Sequence, residues 1–267
     1  MTSEYSFEVL SNEPVSQAVW RMRCQTELAH MLAPGQFVNI CVPGDASHVL
    51  RIPLSFSHAD GEHGTLELVY AIVGEGTRRL AAMRREDEST MVGPCGRGWW
   101  LPKEKGRALL IAGGVGLPPV VACARMLVRA GIGFDAIVGS QTAARHIDFL
   151  LDEMRGLSSQ ATCDCARKVI VTTDDGTRGI HGLPTAAMTD LLAEHGYSQA
   201  YACGPYSMLR GVAQISEKRG IACQVSMERM MGCGFGACSC CNVQRVDGSH
   251  ALCCTDGPVF EASEVAW

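Results

Sequence analysis

The first hundred residues alternate between short apolar runs and turn-forming residues, a pattern typical of β-strands. The turn-formers include Pro34-Gly35, Pro43-Gly44 and Asp60-Gly61. Six short strands of this kind predict a small antiparallel Greek-key β-barrel over residues 1–102, with one short helix over residues 77–83. The runs are SFEVL, VWRMRCQTE, QFVNICV, HVLRIPLSFSHA, TLELVYAIVG and STMVG.

From about residue 107 the pattern of apolar and polar residues changes. The continuous apolar run ALLIAGG precedes the amphipathic stretch VVACARMLVRAG, and buried strands then alternate with helical stretches. This alternation predicts a doubly wound parallel sheet over residues 103–224. The later strands are FDAIVGS, KVIVTTDD, AYACGP and CQVSME, and the later helices are LPTAAMTDLLAEHG and YSMLRGVAQISEKRG.

Residues 225–267 follow neither pattern. They are rich in glycine and cysteine and too short to build an apolar core of their own. In small segments of this kind a metal site takes the place of the missing core. We therefore treat residues 225–267 as a third, metal-binding segment.

Charge and hydropathy bear on whether the chain binds nucleic acid, is secreted or enters a membrane. The net charge is −5, without the clustered positive charge that a nucleic-acid surface needs. The N-terminal sequence has neither the basic nor the apolar part of a secretory signal. Glycines, two prolines and Arg125 interrupt the most apolar stretch, residues 108–128, so it predicts a strand–turn–helix rather than a membrane span. We expect a cytoplasmic protein without nucleic-acid binding or membrane insertion.

Fourteen cysteines are many for a cytosolic chain, in which thiols stay reduced. Eight of them, including Cys163 and Cys165, precede residue 224, and we interpret these as small apolar residues in or near cores. The other six crowd into residues 233–254 and require a chemical explanation.

Four of these six cysteines have the spacing of a plant-type ferredoxin. Cys233, Cys238 and Cys241 form C-x4-C-x2-C, and Cys254 follows 13 positions later. This spacing is typical of a 2Fe–2S cluster with three thiolate ligands on one loop. Glycines between the cysteines allow such a loop to direct backbone N–H groups at sulfur.

Cys240 and Cys253 leave two questions open. Either could replace a neighbour as a ligand, although the known spacing favours Cys241 over Cys240. A structural zinc site is the alternative to a cluster, because Cys238 and Cys241 form a C-x2-C pair. The remaining cysteines give no standard spacing for the second zinc pair.

Three strand ends in the second domain carry candidate nucleotide-binding residues. Ligands of open α/β sheets bind at the carboxyl ends of the strands, where glycines and helix N-termini accommodate phosphate. Ordinary strand-to-helix turns are the alternative interpretation. The candidates are Gly113, Gly114, Gly116 and Pro118 after the first strand, Asp175 after the third, and Cys203, Gly204, Pro205 and Met208 after the fourth.

The motifs GGVGLPP and CGPYSM resemble the nicotinamide motifs of the ferredoxin–NADP reductase superfamily, in which a flavin-binding barrel precedes a nicotinamide-binding domain. The C-terminal CGFGACSCC and CTDGPVF are narrower and resemble the electron-transfer subunits of class 1B dihydroorotate dehydrogenases. This resemblance extends over nearly the whole chain.

The resemblance implies FAD in the barrel and NAD in the second domain. One departure is Ile52, where the family has the second arginine of a pair; either Arg51 replaces it or the flavin binds more weakly. Another is Cys240 at a position that is usually small and apolar. The flavin-binding residues implied are Arg51, Pro53, Leu54, Ser55, Tyr70, Ala71, Ile72, Gly76 and Thr77.

The function implied is electron transfer between NAD(H), FAD, a 2Fe–2S cluster and an FMN-containing dihydroorotate dehydrogenase catalytic subunit, in a heterotetramer of pyrimidine biosynthesis. No side chain is expected to act as a nucleophile or base, and Cys203 is a candidate for lining the flavin–nicotinamide contact. NAD is favoured over NADP because the turn at residues 139–142 lacks basic residues, although Arg145 follows it.

Two other functions remain. The partner could be a paralogous flavoenzyme, as in a sulfide dehydrogenase or a bifurcating oxidoreductase. A zinc-binding regulatory module is a more distant alternative. Near the cluster, we expect Phe235, Val259, Phe260 and Trp267 to form contacts within the segment or across the partner interface.

Overall fold

A computed structural model describes residues 2–44, 50–104, 106–160 and 168–267. Its N-terminal part is a closed antiparallel barrel with the strand order β1-β2-β5-β4-β3-β6. The predicted barrel is therefore confirmed, although residues 48 and 49 of the predicted fourth strand lie outside the described residues. The strands are β1 (Ser3–Ser16), β2 (Val19–Gln25), β3 (Phe37–Ile40), β4 (Ile52–Asp60), β5 (Thr65–Ala71) and β6 (Glu88–Cys95), and helix α1 (Glu75–Ala82) follows β5.

Strand β3 is buried on both of its faces. Val38 and Ile40 belong to the apolar core inside the barrel. Phe37 and Asn39 alternate with them, as side chains do along a strand, and are also buried. Phe37 packs with residues of the second domain and the C-terminal segment. The outer face of this strand is therefore covered by the rest of the chain.

The second domain has a seven-stranded sheet with the order β10-β9-β8-β7-β11-β12-β15. Its strands are parallel except for β15, which confirms the predicted doubly wound sheet. The strands are β7 (Ala108–Gly113), β8 (Phe134–Ser140), β9 (Val169–Thr173), β10 (Ile180–His181), β11 (Gln199–Cys203), β12 (Ala222–Ser226) and β15 (Val259–Glu261). The helices are α2 (Leu117–Arg129), α3 (Asp148–Gln160), α4 (Pro184–Glu194) and α5 (Tyr206–Arg219).

Helix α2 and the segment that follows the barrel join the two domains. The Trp99 indole N–H donates to the Pro119 carbonyl across 3.0 Å, and its ring meets the Tyr201 ring edge-on at 5.8 Å. Arg125 on α2 pairs with Glu153 on α3 and donates to the Ser57 carbonyl of the barrel. Within the described residues, the helices are too short or too polar to span a membrane.

The C-terminal segment extends the second domain's sheet. Its strand β15 pairs with β12, so that Val225 lies opposite Phe260. The strands β13 (Asn242–Gln244) and β14 (His250–Leu252) form a separate hairpin. Val243 and Phe260 share one apolar core with Ile111 of β7. The proposed boundary at residue 225 lies within β12, so we place the start of the segment after residue 226.

Candidate functional site

The glycine-rich turn after β7 contacts the Cys203-Gly204-Pro205 turn directly. Strands β7 and β11 are neighbours, with Ala112 opposite Cys203. A Cβ at position 116 would lie 2.2 Å from the Cys203 carbonyl oxygen, and one at position 113 would lie 2.8 Å from the Met208 sulfur. Both positions therefore require glycine, and two of the three predicted strand ends are brought together.

Helix α2 begins at this turn. Pro118 lies in its first turn, where a proline sacrifices no helical hydrogen bond. Gly114 has a φ of +55°, a left-handed conformation that glycine adopts without strain. Pro118 and Pro119 carry no N–H, and the Leu117 N–H donates to the Gly114 carbonyl, so the helix start has few free donors. The glycines themselves lie at the carboxyl end of β7, the usual position of a nucleotide in such sheets.

Asp175 lies apart from this contact. It follows β9, which is separated from β7 by β8. Its carboxylate accepts hydrogen bonds from the Thr177 hydroxyl at 2.6 Å and the Thr177 N–H at 3.0 Å. The Thr177 hydroxyl and then its N–H lower the pKa of Asp175. The carboxylate thus stabilises its own loop, and its role toward a nucleotide stays a prediction.

The predicted flavin strand is β4, next to β3 in the barrel. Pro53, Leu54 and Ser55 are half-buried and lie opposite Asn39, Val38 and Phe37. Ala71 ends β5, and the N–H of the next residue, Ile72, donates to the Ala18 carbonyl. Of these β4 residues, Pro53 lines a cavity.

The hydroxyls of Tyr70 and Thr77 have partners within the barrel. Tyr70 donates to the Asn12 side chain at 2.9 Å, and Asn12 in turn donates to the Leu80 carbonyl of α1. The Thr77 oxygen accepts from the N–H groups of Val73 and Gly74 at 3.0 and 3.2 Å. Thr77 therefore fixes the start of α1, at which Gly76 lies in the first turn.

Arg51 reaches across the outside of the barrel. Its guanidinium pairs with Glu4 of β1 and donates to the Thr90 hydroxyl of β6 at 3.2 Å. The sequence left open whether Arg51 replaces the missing arginine at Ile52. In the structure Arg51 links β1 and β6, and a role toward the flavin stays a prediction.

An open cavity of about 470 Å³ lies where the barrel, the sheet and the C-terminal segment meet. This volume is in the range of small-molecule sites. Of the predicted cofactor residues, Pro53, Gly204 and Pro205 line it, together with Tyr206, Leu209 and the run Met227–Met231. This methionine-rich run was not predicted as a lining element. Its signal was its place at the end of the last predicted strand, just before the first cysteine of the cluster loop.

Cys203 is the last residue of β11 and directly precedes Gly204 and Pro205, which line the cavity. Burial raises the pKa of its thiol to about 12, outweighing a hydrogen bond with Ser226, and the nearby Glu228 carboxylate raises it further. The thiol is therefore protonated at neutral pH and is a packing group rather than a nucleophile.

The four predicted ligand cysteines approach one another in two pairs. The Cys238 N–H donates to the Cys233 sulfur at 3.5 Å, and the Cys254 N–H donates to the Cys241 sulfur at 3.4 Å. Across the described ranges, no three His, Cys, Asp or Glu side chains close around a single point. Two pairs suit a two-iron cluster, in which each iron takes two thiolates.

Backbone N–H groups favour the thiolate form at the start of the loop. Partial burial works to raise the pKa of Cys233, but the N–H groups of Cys238, Phe235 and Ala237 and the Cys238 thiol outweigh it and lower the pKa to about 6. Burial and the neighbouring Cys241 instead raise the pKa of Cys254. A cation between these sulfurs would replace the protons, so the residues fit an iron–sulfur group.

The two additional cysteines differ in their surroundings. The Cys253 thiol donates to the Met227 carbonyl at 3.0 Å and is fully buried. Burial also raises its pKa. Cys240 is exposed. These positions agree with the assignment of Cys241 rather than Cys240, and Cys254 rather than Cys253, as ligands.

The comparisons with known proteins agree with this geometry. A family model described as the iron–sulfur cluster binding domain of dihydroorotate dehydrogenase B matches residues 228–266. A second model, the oxidoreductase NAD-binding domain, matches residues 110–214. The dihydroorotate dehydrogenase B (NAD(+)) electron transfer subunit of Bacillus caldolyticus is 34% identical over 262 residues, 96% of each chain. The chain belongs to this family.

Other members of this family and a solved structure show the same relationship. The electron transfer subunit from Fusobacterium nucleatum is 32% identical over 264 residues, 96% of each chain. The structure of an NADH-dependent reduced ferredoxin–NADP oxidoreductase, solved in a study of flavin-based electron bifurcation, has a TM-score of 0.85 and 28% identity. The match covers 97% of this chain and 89% of that one. The protein is thus an oxidoreductase subunit with NAD-binding and iron–sulfur domains.

Proposed function

We propose that this chain passes electrons between NAD(H), FAD, a 2Fe–2S cluster and the flavin of a separate catalytic subunit. The cavity at Pro53, Gly204 and Met231 carries this proposal, because it joins the predicted flavin strand, the nicotinamide turn and the peptide that leads to Cys233. When bound, FAD converts the two-electron exchange with a nicotinamide into the single-electron steps that the cluster accepts.

The residues of this chain bind and orient the cofactors. The glycine turn at Gly113–Gly116 is the part of the chain that we propose for the nucleotide phosphate, while Gly204 and Pro205 bound the side of the cavity next to the sheet. Pro53 bounds the side next to the barrel. Cys233, Cys238, Cys241 and Cys254 are the ligands we propose for the cluster. Removal or delivery of a proton by a side chain is not part of this function.

An apolar, exposed surface beside the cluster loop is the docking face that we propose for the catalytic subunit. Met230, Phe235 and Leu50 are 77%, 55% and 55% exposed. Leu50 and the exposed Cys238 both approach Gly232, so the surface includes an edge of the cluster loop. Val259 and Phe260 instead pack inside the chain, and the Trp267 ring lies tilted against the Tyr206 ring. Of the four apolar residues expected near the cluster, Phe235 is the one suited to the interface.

The curated relatives are named as electron transfer subunits of dihydroorotate dehydrogenase B, so we propose an FMN-containing dihydroorotate dehydrogenase as the partner, in a cytoplasmic heterotetramer. Co-expression with that catalytic subunit tests the proposal. The two chains should elute together from gel filtration and catalyse NAD-linked dihydroorotate oxidation. The isolated chain should oxidise NADH only with artificial acceptors. Separate elution together with no NAD-linked oxidation on mixing would contradict the proposed partner.

A pair of surface variants makes the test sharper. Phe235→Asp places a charge on the proposed docking face, whereas Ile180→Asp places one on an exposed residue of β10, at the opposite edge of the sheet. We expect Phe235→Asp to weaken co-elution while retaining flavin and iron, since apolar anchors carry much of an interface's binding energy. Ile180→Asp should co-elute as the wild type does. Equal effects of both variants would contradict the proposed face.

A bifurcating oxidoreductase is the second candidate, because the structure with a TM-score of 0.85 comes from such a study. The catalytic partner distinguishes the two functions. A complex that reduces ferredoxin with NADPH and NAD⁺, and does not oxidise dihydroorotate, would favour this second candidate.

A further inference from the structure

Asn39 is a buried polar residue at the seam between the barrel and the cluster loop. It lies on the outer face of β3, where a polar side chain would ordinarily meet water, yet it is fully buried. The segment that covers Asn39 is the turn at residues 232–234, almost two hundred positions away in the sequence. A buried amide at such a seam requires an explanation, because an apolar side chain would fill the space without desolvating polar atoms.

The amide contacts the peptide that leads into Cys233. Its Nδ2 donates to the Gly232 carbonyl oxygen at 3.4 Å. This carbonyl belongs to the same planar peptide group as the Cys233 N–H, so the hydrogen bond fixes the plane from which the first proposed ligand begins. The orientation of that ligand therefore depends on the barrel as well as on the cluster loop.

Gly234 makes room for the same amide. Its φ is +81°, and a Cβ at this position would lie 2.7 Å from the Asn39 Nδ2. Glycine allows both the left-handed conformation and the close approach. The residues on either side of Cys233 thus adjoin Asn39, which makes this contact specific to the ligand-bearing turn.

The other atom of the amide is unsatisfied. The Asn39 Oδ1 has no hydrogen-bond partner among residues 2–44, 50–104, 106–160 and 168–267. Leaving a buried acceptor unpaired costs free energy, so we expect Asn39 to serve a purpose at the contact between the barrel and the cluster loop. Asn39 belongs to β3, which pairs with the predicted flavin strand β4, and it lies directly opposite Pro53.

Asn39 therefore lies between the two proposed cofactor sites. Pro53 lines the cavity and lies opposite Asn39 on the neighbouring strand. The Asn39 side chain contacts Gly232, which directly precedes Cys233. We propose that Asn39 is a positioning residue, which holds the cluster loop in a fixed place relative to the flavin-binding barrel and so sets the environment of the cluster. This inference rests on the proposed function, because it concerns the cofactors assigned there.

The experiment compares Asn39→Ala with Val9→Ala in the full chain. Val9 is a fully buried barrel residue of β1 outside the proposed cofactor sites, so its truncation controls for a general loss of barrel stability. The measurements are flavin content, the EPR spectrum and midpoint potential of the reduced cluster, and amide hydrogen exchange over residues 233–238.

In Asn39→Ala we expect wild-type flavin content with altered EPR g-values and a shifted midpoint potential. Hydrogen exchange in the loop should be roughly fivefold faster, the factor that the net loss of one hydrogen bond corresponds to. Val9→Ala should lower the melting temperature without changing g-values, potential or loop exchange. Wild-type values for all three in Asn39→Ala, or equal changes in Val9→Ala, would overturn the proposal.

A second variant covers the case in which Asn39→Ala does not fold. Asn39→Asp keeps the side-chain shape but loses the amide donor and directs an oxygen at the Gly232 carbonyl, so the same changes are expected. An Asp variant with wild-type spectrum, potential and exchange would overturn the proposal. If the wild-type chain itself holds no two-iron cluster, the proposed function fails, whereas the exchange comparison still decides the role of Asn39.

Discussion

The backbone N–H of Cys254 points at the sulfur of Cys241, across 3.4 Å. These two residues come from separate parts of the C-terminal segment, so the fourth proposed ligand contacts the loop that carries the other three. The thiol of the neighbouring Cys253 instead donates to the Met227 carbonyl. The two adjacent cysteines thus differ in their contacts.

This distinction leads to a set of six serine variants. We expect Cys233→Ser, Cys238→Ser, Cys241→Ser and Cys254→Ser each to lose the cluster, because each removes a proposed thiolate ligand. Cys240→Ser and Cys253→Ser are the matched controls and should keep it. Iron content and the EPR signal after reduction are the measurements. A cluster that survives Cys241→Ser and disappears in Cys240→Ser would contradict the ligand assignment.

Gly116→Ala should damage nucleotide binding. The added methyl group would lie 2.2 Å from the Cys203 carbonyl oxygen, and neither backbone can move freely. Overpacking of this kind costs about 1–3 kcal/mol, and to the extent that it distorts the turn we expect NADH binding weakened by about fivefold to 150-fold. Titration of NADH against flavin absorbance measures this effect.

Gly156→Ala is the control for this glycine variant. Gly156 lies in α3 with open space around its Cα, and alanine is the better helix former by about 1 kcal/mol. This control should keep wild-type NADH affinity and a slightly higher melting temperature. Equal NADH affinity in both variants would argue against the contact between the two turns.

The same contact illustrates what the sequence could predict. The sequence predicted correctly that the glycine motif and the Cys-Gly-Pro turn meet, since carboxyl ends of parallel strands lie at one edge of a sheet. The order of the strands could not be read from the chain. It places β8 between β7 and β9 and so separates Asp175 from this contact.

Helix α3 and the C-terminal strands were missed for different reasons. Buried residues at Leu150, Leu151 and Met154 do give α3 a helical period, but Gly156 obscured it. Strands β13 to β15 are three residues long, too short for a periodic signal. Their pairing depends on distant partners, as does the contact of Asn39 with Gly232.

A buried charge network should contribute to the stability of the second domain. The Tyr197 hydroxyl donates to Asp135 at 2.5 Å, and the same carboxylate accepts from Arg107 at 2.6 Å. Tyr197→Phe should lower the free energy of unfolding by about 1–3 kcal/mol, because a fully buried carboxylate loses a donor. Urea unfolding measures this difference. The control Tyr5→Phe, at the surface of the barrel, should stay within about 0.5 kcal/mol of the wild type.

His146 should make stability depend on pH. Burial, followed by the Arg178 guanidinium, holds its pKa below the usual value, against the opposing charge of Asp148. The unfolded chain, with a histidine pKa of about 6.5, therefore binds a proton more readily. Stability should fall as the pH drops below about 6.5, until the folded-state pKa is passed.

The variant His146→Gln tests this dependence. It removes the titrating group, so its unfolding free energy should fall less between pH 7 and 5 than that of the wild type. Identical slopes for this variant and the wild type would show that His146 does not titrate differently in the folded chain.

The most direct test of the central claim is an EPR spectrum of the purified wild-type chain, reduced with NADH in the absence of oxygen. Electron transfer from the nicotinamide through flavin to the cysteine cluster should produce the signal of a reduced 2Fe–2S cluster. That signal should be absent without NADH and absent in Cys238→Ser, whose flavin should still be bleached by NADH. A wild-type chain that binds zinc in place of iron, or whose flavin is reduced without any cluster signal, would contradict the claim.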